Sequence, residues 1–262
     1  MNIKLGCDPE AFLMDTQGVL KSAVGLIGGT KAYPLPLPLG DGYAVQEDNV
    51  ALEFNIPPAS SRTEFVDSIS KTLAFLTRIV DENYGYKINQ SSASSFDATE
   101  LDSPGAQLFG CDPDFNAWTN RANPRPNSAD KTLRSCGGHV HIGYDITKAN
   151  GRSVIKMMDL FLGVPSILMD NGDLRKQLYG CAGAYREKSY GVEYRTLSNF
   201  WIFKDRLIEY VWDNTNKAVT AAESQFALSD EDTQNIVAAI NQNDKGIASM
   251  LIKKFNLEVI HV

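Results

Sequence analysis

Four short stretches set functional side chains two residues apart: Asp8 and Glu10 in GCDPEAF, Glu53 and Asn55 in ALEFNI, His139 and His141 in GGHVHIG, and Glu193 and Arg195 in GVEYRTL. On an extended strand, residues i and i+2 project from one side. Each pair therefore shares a face, while apolar or aromatic neighbours point away. If the four strands lie in one sheet, that face gathers four carboxylates, two imidazoles and a guanidinium. Crowded carboxylates raise one another's pKa and destabilise a fold. A divalent cation removes that cost, and an oxygen-rich donor set with an occasional imidazole suits magnesium or manganese better than zinc. Singly, each pair has a plainer reading: a Glu-x-Arg strand is commonly a cross-strand salt bridge, and an Asp-x-Glu strand a solvated face. Recurrence across the chain is what points to chemistry.

Positive charge converges on the same stretches. AGAYREKSYGVEYR sets Arg186 and Lys188 just before Glu193 and Arg195. Arginines beside a divalent ion read as clamps on phosphoryl oxygens, because the guanidinium fork matches them and stays charged. Arg175 in LRKQLYG is a further candidate, although Arg175 and Lys176 read first as the surface end of a helix. The turn IGGTK, residues 27–31, could cradle an anion through its backbone N–H groups, with Lys31 beside it. It is not a Walker motif, whose lysine sits between glycine and Ser or Thr.

The elements that must position these residues follow from pattern. NIKLGCDPEAFLMD reads as a strand, GVLKSAVG as a return strand, and TKAYPLPLPLGDGYA as an extended, proline-punctuated loop. NVALEFNI is a strand that stops at Pro57-Pro58. SSRTEFVDSISKTLAFLTRIVDENYG predicts an amphipathic helix, capped by Ser60 or Ser61 and ended by Gly85. Residues 89–130 are polar and read as a long excursion with little regular structure, a substrate loop or lid. Within it, GCDPDFNAW echoes GCDPEAF. A helix is expected over about 152–169, a strand at YGVEYRTLSNFW, and helices over about 203–225, 229–242 and 244–255, with LEVIHV as a last short strand. Strands interleaved with helices, lacking a regular βαβ beat, predict an α+β fold with a largely antiparallel sheet. No linker interrupts residues 1–262, so one domain is expected.

Bulk properties narrow the function. A net charge of −7 argues against a protein that coats nucleic acid or an anionic membrane. The cysteines, Cys7, Cys111, Cys136 and Cys181, form no CxxC pair and read as reduced thiols rather than a zinc site. MNIKLGCDPEAFLMD lacks the basic start and long apolar core of a signal peptide. MMDLFLGVPSILM is interrupted by Asp159 and Pro165 and is too short to cross a bilayer. A soluble, cytoplasmic protein is expected.

In this order the motifs resemble the glutamine synthetase and glutamate–cysteine ligase superfamily. Asp8-Pro9-Glu10-Ala11-Phe12 stands where glutamine synthetases carry E-P-E-F, and Gly138-His139-Val140-His141 is similar to their G-M-H-x-H element. YGCAGAYREKSYGVEYRTLSNFW and LFLGVPS resemble more closely the phage-encoded COOH–NH2 ligases (amidoligases), particularly the type 2 family of phiEco-like phages. The resemblance covers about residues 3–212; the helical part, about 213–262, carries none of its motifs. It implies a glutamine synthetase-like fold, with the active site on the concave face of a largely antiparallel sheet and helices on the other face. It further implies bound ATP and Mg2+ or Mn2+, with Asp8, Glu10, Glu53, His139 and Glu193 as metal ligands. His141 matches a nucleotide-phosphate contact, which Arg186, Lys188 and Lys31 would supplement. Arg186 and Arg195, with Glu193, match the groups around the transferred phosphoryl. The chain departs from the pattern in having Asp8 for Glu. The second acid before Glu53 is Glu47 or Asp48, with Asp48 favoured.

The reaction implied is ATP-dependent ligation of a carboxylate to an amine through an acyl phosphate, releasing ADP. The substrates would be small molecules or peptides, in the host cytoplasm if the protein is phage-encoded, and an oligomer is compatible with it. An acidic residue within 89–130 would accept the proton of the amine. Three other readings stand beside it: a guanidino-kinase-like phosphotransferase, a metal-dependent phosphoesterase, and a catalytically silent phage protein with a binding or structural role.

Overall fold

Pro9 has no N–H to give to a ladder, and the first predicted strand breaks there. In the computed structural model, which describes residues 3–107, 114–124 and 128–260, the chain runs as β1 (Lys4–Cys7), turns at Asp8-Pro9 and resumes as β2 (Glu10–Met14). Next come β3 (Leu20–Lys21), β4 (Leu35–Pro36), β5 (Ala44–Asp48) and β6 (Ala51–Asn55). Helix α1 (Arg62–Tyr84) leads to β7 (Lys87–Asn89), β8 (Ala93–Ser95), α2 (Pro104–Gln107), β9 (Phe115–Asn116) and β10 (Arg121–Ala122). Then follow β11 (Leu133–Ser135), β12 (Val140–Gly143), α3 (Gly151–Met158) and α4 (Val164–Met169). The chain continues through β13 (Ala184–Lys188), β14 (Gly191–Tyr194), α5 (Asp205–Glu223), α6 (Asp230–Asn241) and α7 (Lys245–Phe255).

The fold is mixed, helices with antiparallel sheets, as the alternation of elements predicts. The four motif strands do not lie in one sheet. Among the described residues there are two six-stranded sheets: β1-β12-β14-β13-β9-β10, and β3-β2-β6-β5-β4 with β7 also on β2. A separate two-stranded ladder joins β8 and β11. The break at Pro9 sends β1 to one sheet and β2 to the other. The sheets meet along β1 and the segment that follows β6, where Leu5 and Ala59 exchange backbone hydrogen bonds of 3.0 and 2.7 Å. Two more bonds close the seam: Glu10 N–H donates to Gly137 O at 2.9 Å, and Phe54 N–H to Pro9 O at 3.2 Å.

Helix α1 forms as its local signals dictate. Ser61 Oγ accepts the Glu64 N–H, Glu64 returns a bond to the Ser60 N–H, and Gly85 closes the helix at φ 66°. Its buried residues Phe65, Ile69, Leu76 and Val80 face α5 and the rest of the core. Phe65 stacks on Trp201 with ring centroids 5.9 Å apart. The helix expected over 152–169 is α3 and α4 joined by a π-helical turn, Asp159–Gly163. That turn aims buried Asp159 at Trp118 Nε1 (2.6 Å) and the Tyr194 hydroxyl (2.8 Å), behind β14.

The three C-terminal helices match their predicted spans. The stretch 89–130 is less irregular than expected, because β9 and β10 extend the first sheet and β8 pairs with β11. Cys7, Cys136 and Cys181 are free thiols, and Cys111, with the whole echoed GCDP segment, lies outside the described residues. Leu257–Ile260 form no strand, and His261 and Val262 lie outside the described residues. No helix among the described residues is long and apolar enough to cross a membrane.

Candidate active site at the seam of two sheets

Strand register builds one half of the site. Gly6 of β1 lies opposite His141, His141 lies opposite Glu193, and Glu193 lies opposite Arg186. Because facing residues share a side of the sheet, an imidazole, a carboxylate and a guanidinium form a row. The alternate residues Val140, Ile142, Val192 and Tyr194 are buried on the other side. Asp8, at the end of β1, completes the row with Oδ2 3.1 Å from His141 Nε2 and Oδ1 3.3 Å from His139 Nδ1. Asp8, His141 and Glu193 each offer one donor atom, all within 4.8 Å of one another. His139 stands beside this group, with Nδ1 3.3 Å from Arg195 Nη1.

Glu193 is fully buried among cations: Arg195 Nη1 touches Oε1, Arg186 Nη1 lies 3.5 Å from Oε1, and Lys188 Nζ lies 2.8 Å from Oε2. Burial alone would raise its pKa, but the Arg195 charge outweighs it and the carboxyl falls to about 2. Asp8 likewise resists burial and sits well below the usual carboxylate range because His141 and His139 face it. Burial and Arg195 push His139 down to about 4, so its imidazole is neutral. Asp8 outweighs burial at His141 and raises its pKa.

The second sheet supplies the other half. Glu10 of β2 lies opposite Glu53 of β6, and Asp48 ends β5 on the same side. Their carboxylates bring one oxygen each within 4.8 Å of one another. Burial and the Asp48 charge lift Glu10 to about 7, and burial with Asp8, Asp48 and Glu10 lifts Glu53 well above the usual range. Glu53 Oε2 is buried and has no hydrogen-bond partner among the described residues. A buried, unpaired carboxylate oxygen is costly. Three acids around one such oxygen form a donor set that could hold a hard divalent cation.

The Gly-Gly lead into His139 has a steric cause. A Cβ at Gly137 would come 2.3 Å from His139 Nε2, and one at Gly138 would come 2.4 Å from Ser198 O. Gly137 also clasps Glu10, its N–H donating to Glu10 Oε2 at 2.7 Å while its carbonyl accepts the Glu10 N–H. The two halves of the site are thereby fixed to each other.

The predicted residues divide as follows. Asp8, Glu10, Glu53, His139, His141, Arg186, Lys188, Glu193 and Arg195 converge on the seam. Of the two acids before Glu53, Asp48 joins the group. Glu47 instead accepts the Gly25 and Gly28 N–H groups, both at 2.9 Å. The anion cradled by the turn containing IGGTK is therefore this side chain, which corrects the expectation of an open anion site there. Lys31 still reaches the site, pairing with Asp48 Oδ2 at 3.2 Å. Arg175 is not at the surface: it is 3 % exposed, donates to Thr196 O at 3.0 Å and lines a cavity with Glu10, His139 and Arg195. Lys176 is half-buried, with its ammonium on Gly180 O at 2.6 Å. Burial, then Arg175, lowers its pKa to about 8.

Two residues with no individual signal in the reading above also stand at the site. Asp114 Oδ2 lies 3.4 Å from Arg195 Nε, and Tyr190 lies on His141. The GCDPD echo could have found Asp114, which it sets in the place Glu10 holds in GCDPE. No pattern marks Tyr190. Two hollows adjoin the seam. A cavity of about 60 Å³ is lined by Glu10, Asp48, His139, Arg134, Arg175 and Arg195. A groove of about 1000 Å³ is lined by Gly6, Asn55, His141, Tyr144, Lys148 and Tyr190.

A family model described as phage phiEco32-like COOH.NH2 ligase-type 2 matches residues 128–258. The match takes in the His139–His141 and Glu193–Arg195 strands. It also runs through the C-terminal helices, which the motif resemblance left out. No curated protein matches the chain.

Proposed function

The chain belongs to the phage phiEco32-like COOH.NH2 ligase-type 2 family, and on that premise we propose that it joins a carboxylate to an amine at the expense of ATP. A free carboxylate is a poor acyl donor because its leaving oxide is too basic. Transfer of the γ-phosphoryl of ATP to the carboxylate releases ADP and makes an acyl phosphate, whose leaving group is good. Attack by the amine then forms the amide and releases phosphate. The fold that goes with this chemistry is glutamine synthetase-like.

What carries the reading is convergence. Acids from both sheets meet at Asp8-Pro9-Glu10 with Arg186, Lys188 and Arg195 crowded against Glu193. Glu10, Asp48 and Glu53 would hold one magnesium or manganese ion, and Asp8, His141 and Glu193 another, with His141 taking the ligand place expected of His139. Such ions supply charge neutralisation to the phosphates of the nucleotide. Arg186, Arg195 and Lys188 would then orient phosphoryl oxygens, each arginine contributing on the order of 3 kcal/mol to the barrier reduction. Arg175 and Arg195 beside the 60 Å³ cavity suit the reacting carboxylate. The 1000 Å³ groove at His141 has room for the nucleotide.

The test incubates the protein with ATP, Mg2+ and pooled carboxylates and amines. ADP together with a mass-shifted condensation product is expected, and neither with Glu193→Gln. ADP release that never depends on an amine, or near-normal turnover by Glu193→Gln, overturns the reading.

A further inference from the structure

Tyr190 occupies the turn between β13 and β14. It is 45 % exposed, yet its hydroxyl lies 2.5 Å from His141 Nδ1 and its ring 6.1 Å from the imidazole at 27°. The backbone holds it there. Its carbonyl accepts the Tyr144 N–H at 3.4 Å, and Gly191 follows at φ 149°, where a Cβ would meet Ile142 O at 2.1 Å. Only glycine lets the turn close this tightly on β12.

The other nitrogen of the ring, Nε2, faces Asp8 and belongs to the group with Glu193. An imidazole ligates an ion through Nε2 only when that atom carries no proton, which leaves the proton of the neutral ring on Nδ1. A proton on Nδ1 needs an acceptor, and the Tyr190 hydroxyl is the atom in place. We propose that Tyr190 is a positioning residue: its hydroxyl accepts Nδ1–H of His141 and fixes the tautomer and ring angle that present Nε2 to an ion shared with Asp8 and Glu193. The inference rests on the ion-holding reading given above. Outer hydrogen bonds to a ligating histidine typically contribute about 10–100-fold in metal affinity.

The probe is Mn2+ alone, titrated into the purified protein and followed by the resonance signal of the free ion. Wild-type protein is expected to show two classes of site. Tyr190→Phe keeps the stacked ring and removes only the hydroxyl; it should weaken one class by roughly 10–100-fold and leave the other unchanged. The class it weakens should be the one His141→Ala removes. Nitrogen-15 shifts of His141 in the Mg2+-loaded wild type should place the proton on Nδ1. Unchanged Mn2+ binding by Tyr190→Phe overturns the role of Tyr190 and leaves the ligase reading standing. Equal weakening of both classes marks a general structural effect and also overturns it. Wild-type protein that binds no Mn2+ overturns the ion-holding reading, and the role of Tyr190 with it.

Discussion

Glu10 gives one oxygen to the Gly137 N–H, yet burial and Asp48 lift its pKa from an ordinary 4.5 to about 7. An acid whose folded pKa lies above its unfolded value is protonated preferentially in the folded state. Stability is therefore undiminished below the unfolded pKa and falls as pH rises from there through about 7. A divalent cation among Glu10, Asp48 and Glu53 would replace the missing proton as counter-charge. The gain in Tm on adding Mg2+ should thus be greater near pH 8 than near pH 5.5, by on the order of 3 °C. Equal gains at both pH values would count against a cation in that group. Glu193 works in the opposite sense. Its carboxyl is depressed to about 2, so its contribution is present above an ordinary 4.5 and is lost as pH falls through about 2. Glu193→Gln also removes the counter-charge that Arg186, Lys188 and Arg195 share, so its lost turnover should come with a lower Tm.

Among the elements, β12 shows what a residue string can and cannot disclose. GGHVHIG announces two imidazoles on one face; the register places His141 there, and both rings reach Asp8, His139 from just before the strand. The string does not disclose that Ser198, sixty positions on, fills the space a side chain at Gly138 would need. Gly138→Ala should therefore cost about 3 kcal/mol, since the obstruction is backbone rather than a movable side chain. Chemical denaturation would measure it, and a midpoint equal to wild type would show that the Ser198 turn yields. Helix α1 was legible because its causes are local: Ser61, Glu64, a 3.6-residue apolar stripe and Gly85. Strand β5 was not, because AVQED follows a proline- and glycine-rich run and takes its shape from β6. Arg175 was misplaced for the same reason. Its burial depends on carbonyls at Arg195 and Thr196, which no spacing reveals.

At the scale of the whole molecule, the sequence named most of the acidic and basic partners but not the surface they share. Pairs two residues apart look alike whether their strands join one sheet or two, and only long-range pairing decides. The two-sheet arrangement gives each candidate ion group donors from one sheet: Glu10, Asp48 and Glu53 from the second, Asp8, His141 and Glu193 from the first. The shortest covalent path between the groups is Asp8-Pro9-Glu10, and the ring of Pro9 fixes one torsion of it. Pro9→Ala should leave the Mn2+ affinity of either group near wild type while lowering kcat. A variant with full kcat would show that the noncovalent bonds of the seam suffice. Proline at this point acts as a gauge: it sets how far apart two bound charges would stand, the one dimension that a triphosphate tail has to match.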